Sequence, residues 1–88
     1  MQLFKVDVTA LEPPEPMTVI LTSLAQLTTK QCLLVSHRRQ PYPLYEKLLQ
    51  TGWKYHCIVH DDNNISLYIY RLNDHDDFQC HFENNSFT

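Results

Sequence analysis

The sequence predicts an α+β protein, a two-layer sandwich in the order β-α-β-α-β-β with two helices on one face of a mixed four-stranded sheet. Three observations carry that expectation. Residues 3–8, 53–60 and 65–72 alternate in side-chain character as strands do, while 17–27 and 44–49 repeat their apolar residues at helical spacing. The short apolar run Cys32-Leu33-Leu34-Val35 separates the two helices and reads as a central strand buried on both faces. Asp61-Asp62-Asn63-Asn64 stands between the last two alternating stretches as a hairpin turn. A chain of 88 residues holds a single core, because at this size only about two thirds of the unfolded surface can be buried.

The elements follow in order. Phe4, Val6 and Val8 face one way and Lys5 and Asp7 the other in the first strand. Leu11-Glu12-Pro13-Pro14-Glu15-Pro16-Met17 hands over to a helix: Pro16 suits the first helical turn, and Glu15 suits the positive end of the helix dipole. Met17, Ile20, Leu21, Leu24 and Leu27 form that helix's apolar stripe, which Thr28-Thr29-Lys30 ends. After the second strand, Pro41 and Pro43 flank Tyr42, and Leu44, Tyr45, Leu48 and Leu49 form a second stripe that stops at Gly52, read as a left-handed cap. In the hairpin, Trp53, Tyr55, Cys57 and Val59 alternate with Lys54, His56, Ile58 and His60. The expected domain is 1–72, followed by an acidic extension, 73–88. Within it Phe78, Cys80 and Phe82 alternate with Gln79, His81 and Glu83, which predicts an extra edge strand docked through Phe78 and Phe82. Residues 84–88 carry no pattern and are expected to fray.

The charge balance narrows the function. Net charge is −3, but Lys and Arg stop at Arg71, and residues 1–71 hold seven basic against six acidic side chains. Such a body lacks the basic excess that neutralises phosphates, which argues against nucleic acid as a partner. Cys32, Cys57 and Cys80 form no CxxC pair, as expected in a reducing compartment, and the cytoplasm is the expected location. No secretory leader and no apolar run of membrane-spanning length is read, so no membrane partner is expected.

A right-handed β-α-β unit makes the first two strands parallel, so their carboxyl ends and both helix N-termini share one rim. His37, Arg38 and Arg39 arrive there directly from the second strand. With Glu12, Glu15 and Tyr42 they form the candidate ligand site, in which dipoles, guanidinium groups and an imidazole surround a phosphate, a carboxylate or an acidic side chain. The competing reading has Arg38 and Arg39 pair with Glu12 and Glu15 and close the rim. Glu12, Glu15 and His37 are normal metal-ligand types without ligand spacing. His56 and His60 would stand about 13 Å apart on a strand. His75, Cys80 and His81 lie among acids that suggest a solvated tail. No metal, cofactor or catalytic residue is expected, and Cys32 and Cys57 read as packing residues. Tyr68 and Tyr70 share one side of the last strand; beside His56, Ile58 and His60 they either form a docking or dimer surface or pack inward.

At Leu11-Glu12-Pro13-Pro14-Glu15-Pro16 and at His37-Arg38-Arg39-Gln40-Pro41-Tyr42-Pro43-Leu44-Tyr45, the chain resembles an uncharacterised branch of the SirA/TusA-like superfamily, over residues 4–71. The resemblance implies the two-layer fold. Better-known members relay sulfur as a cysteine persulfide, and Pro13 stands where their cysteine would be. The expected function is therefore a non-enzymatic binding or regulatory domain, monomeric or weakly dimeric, whose partner is a protein or a small anionic ligand. Sulfur transfer through Cys32, Cys57 or Cys80, and docking through the open sheet face, are the alternatives.

Overall fold

A computed structural model describes residues 1–84. Strands β1 (Gln2–Asp7), β2 (Gln31–His37), β3 (Trp53–Asp61) and β4 (Asn64–Arg71) form one sheet in the order β1-β2-β4-β3. Helix α1 (Glu15–Ala25) joins β1 to β2, and α2 (Tyr42–Gln50) joins β2 to β3. The β1-β2 pair is parallel, while β2-β4 and β4-β3 are antiparallel, so β1, β2 and β3 run the same way. Their three carboxyl ends therefore point to one rim. The predicted sandwich is the observed one, with a third helix, α3 (His75–Glu83), added on the second face.

The first face builds the main core. Leu33 and Val35 of β2 and Ile65, Leu67 and Ile69 of β4 are almost fully buried, against Ile20 and Leu24 of α1 and Leu44, Tyr45 and Leu48 of α2. Trp53, Tyr55 and Cys57 pack against this cluster, which resolves the hairpin: this side turns inward. The helical stripes are narrower than the sequence suggests, since Leu21 and Leu49 stay exposed. Tyr45 stacks on Tyr55 with centroids 3.9 Å apart, and the Arg71 guanidinium lies 4.7 Å from the Trp53 ring while donating to the Leu27 carbonyl. Gly52, just past α2, has φ +86°, the left-handed conformation expected of it.

The second face corrects the expected edge strand. Residues 75–83 are helical, and only Phe78 of this helix is fully buried. A strand would place Phe78, Cys80 and Phe82 on one side; instead Cys80 is exposed. Phe78 and Phe82, four apart, fit a period of two and a period of 3.6 equally well, so the alternation was ambiguous. The charges are not: Asp76 and Asp77 lie in the first turn and His81 in the last, the distribution that a helix dipole favours. Phe78 stacks on Tyr70 at 4.0 Å, and His56, Tyr68 and Phe82 complete an aromatic cluster with Cys32 beneath it. Tyr68 and Tyr70 thus lie on the face away from α1 and α2, and α3 covers much of what the sequence left open. Asp74 anchors the start of α3, its carboxylate accepting from the Lys30 amide at 2.8 Å. The fraying expected for residues 84–88 falls, from 85 onward, outside the described residues.

Candidate functional site

His37 is the last residue of β2 and pairs with Ile65, which places it on the helix-covered side of the sheet, between the starts of α1 and α2. Its Nδ1 accepts from the Arg38 amide at 2.8 Å and from the Arg39 amide at 3.3 Å. The ring thus turns the chain out of β2 and must keep Nδ1 unprotonated, with Nε2–H as its remaining donor. Partial burial first, and then the neighbouring Arg38 and Arg39 charges, hold its pKa below the ordinary imidazole value. Arg38 reaches back across the rim, donating to the Leu11 carbonyl at 3.2 Å and tying the β2-α2 loop to the β1-α1 loop.

Between the two loops lies a slot of about 270 Å³, lined by residues of both helix starts. Pro13, Pro14, Pro16 and Met17 form one wall, Pro41 and Pro43 the other, with His37, Arg39 and Gln40 between them. Gln40 is oriented by Tyr45, whose hydroxyl donates to its Oε1 at 3.2 Å. The Pro13-Pro14 peptide bond is cis. The same prolines remove backbone donors. In the first turn of α2, Pro43 has no N–H, Tyr42 donates to the Gln40 carbonyl, and Leu44 and Tyr45 both donate to that of Pro41. In α1, Pro16 has none, and Glu15 donates to the Glu12 carbonyl. The helix starts do meet, and the walls they offer are built largely of proline rings, which carry no donor.

A second, larger cleft of about 450 Å³ adjoins the slot, sharing Arg39 and Gln40 with it. Arg38, Tyr42, Val59, Asp61, Asp62 and Ile65 complete its lining. The sequence reading missed Asp61 and Asp62. They reach the rim because β3 runs parallel to β2, so the end of β3 and the hairpin turn arrive at the end where β2 finishes. A β-α-β reading of the second helix, applied as it was to the first, would have found them.

Of the six predicted site residues, His37, Arg38, Arg39 and Tyr42 line one or both cavities, while Glu12 and Glu15 are exposed and line neither. Among the described residues no ion pair joins Arg38 or Arg39 to Glu12 or Glu15, so those acids do not seal the rim. The Arg39 guanidinium makes no hydrogen bond or ion pair among the described residues. No three His, Cys, Asp or Glu side chains among them are grouped as metal ligands. Elsewhere Cys32 lies under α3, its thiol pushed up to about 12 by burial, whereas Cys80 is exposed.

Residues 5–71 match DUF2249, a family described as an uncharacterized conserved protein. The chain belongs to this DUF2249 family. No curated protein and no solved structure matches it. The DUF2249 match contains both rim loops, both cavities and the whole sheet apart from the first three residues of β1, and ends before α3. No helix among the described residues is long and apolar enough to cross a membrane.

Proposed function

We propose that this DUF2249 chain is a small cytoplasmic binding or regulatory domain, not an enzyme, that recognises an anionic group on a ligand or on an acidic protein segment at the rim between α1 and α2. The observation that carries this reading is Arg39, which lines the slot and whose guanidinium has no partner among the described residues, none of the slot's described lining residues being acidic. Exposed and with no carboxylate in contact among the described residues, Arg39 stays available to an incoming one, and the adjacent prolines offer apolar contact. Binding then has two parts, an apolar group between the prolines and a negative charge on Arg39.

The test is a titration of inorganic phosphate and of isovalerate, a carboxylate with an apolar end, into ¹⁵N-labelled protein. Amide shifts are expected at 37–40 and at Met17, larger for isovalerate. Arg39→Ala should weaken that response at least about tenfold, the equivalent of one charge-assisted hydrogen bond. Flat titrations at those amides refute the reading.

Sulfur relay, suggested by the resemblance to SirA/TusA carriers, draws less support. It needs a thiolate at the rim. Among the described residues no cysteine lines the slot, and Pro13 does. Cys80, the exposed thiol, lies on α3 on the opposite face of the sheet.

A further inference from the structure

We infer that the slot and the cleft act as one track for an extended segment of a partner protein that presents an apolar side chain, an acid and a base in that order. The inference rests on the anion-recognition reading above and specifies its partner. Its ground is the arrangement of charge along two adjoining depressions: among the described residues, apolar walls without acid in the slot, Arg39 and Gln40 shared by both, and Asp61 and Asp62 with Arg38 in the cleft. Neither aspartate forms an ion pair among the described residues. Among the described residues Asp61 accepts, through Oδ1, from the Asn63 amide alone, at 2.8 Å, which fixes the turn and leaves its other oxygen without a partner there.

Arg38 and Arg39 line the cleft beside Asp61 and Asp62, so a simple anion is drawn to its arginine side and repelled only at the hairpin end. A molecule that fills both must therefore change sign along its length. The two depressions are open, and Tyr42, which lines the cleft, is 67% exposed. Small-molecule sites enclose most of the ligand's surface, and these do not. A polymer lying along the track needs no enclosure, because its affinity is spread over successive side chains. Charge complementarity at the Asp61–Asp62 end then supplies order and direction more than raw affinity.

The test uses capped synthetic peptides and ¹⁵N-labelled full chain. One carries leucine, glutamate and lysine, each separated by glycine; a second has glutamine for the lysine; a third exchanges the two charges; each is also made in the reverse chain direction. In one direction the first peptide should shift amides at both 38–40 and 61–66. It should bind about threefold more tightly than the second at low salt, the size of effect that exposed ion pairs produce. The double variant Asp61→Asn, Asp62→Asn, both exposed positions, should abolish that preference and keep the shifts at 38–40. Equal binding of the first two peptides, with shifts confined to 37–40, would overturn the ordered-segment inference and leave anion recognition standing. Isovalerate binding as tightly as the first peptide would also overturn it, in favour of a small ligand. Silence at 37–40 for every peptide and for isovalerate would sink both readings.

Discussion

His37 shows how one side chain can shape a site without closing it. Its Nδ1 stands in for a turn acceptor, holding the Arg38 and Arg39 amides where Arg38 reaches the Leu11 carbonyl and Arg39 lines both the slot and the cleft. Protonation would place a donor against two donors. Because the folded pKa lies below the unfolded one, the stability this ring contributes is complete above the ordinary imidazole value of 6.5 and is lost as pH falls through the folded pKa. His37→Asn retains an acceptor near the Nδ1 position but cannot titrate. Urea midpoints at pH 7.5 and 5.5 should therefore fall less in this variant than in the parent chain; parallel losses would show that His37 is not the titrating group.

At the level of elements, α3 has the clearest energetic signature. It joins the sheet through one fully buried side chain, Phe78, stacked on Tyr70 and in ring contact with Tyr68, His56 and Phe82. Phe78→Ala should cost about 3 kcal/mol or more, the usual result of emptying a buried aromatic position. Near-ultraviolet circular dichroism and a thermal melt would register it, and an unchanged melting temperature would mean that α3 is not held by this contact. The elements of residues 1–71 were legible because each stretch has one dominant period or, in β2, a short uninterrupted apolar run, with a clear stop such as Gly52 after the second helical stripe. Residues 75–83 were not, because Phe78 and Phe82 satisfy two periods at once, and the acids that mark a helix start also mark a solvated tail.

For the molecule as a whole, the sheet separates two chemistries. Its helix-covered side carries the core and, at the rim, the cavities; its other side carries the aromatic cluster and Cys32. The thiols report on this division. Cys80 should react with a thiol reagent at pH 8 at the rate of an open cysteine. Cys32, buried and with a pKa near 12, should react slower by about a thousandfold or more, since the sheet must first open. Comparable rates would show that α3 does not seal that face. The same layout explains why only part of the site could be foreseen. His37, Arg38 and Arg39 are adjacent in sequence and follow β2 directly, so one parallel β-α-β unit suffices to place them. Asp61 and Asp62 read locally as a turn and join the rim only through the direction of β3.

The order of elements through residue 71, the helix starts at the prolines and the left-handed turn at Gly52 are properties of short stretches, and the sequence alone determined them through periodicity and backbone sterics. The tertiary structure decided that the arginines leave Glu12 and Glu15 unpaired, that the prolines wall a slot instead of presenting amides, that two aspartates stand beyond it, and that the tail is a helix over the second face. Each of these depends on how segments distant in the chain are brought together, and pairing across a sheet is set by the shared core rather than by any local pattern.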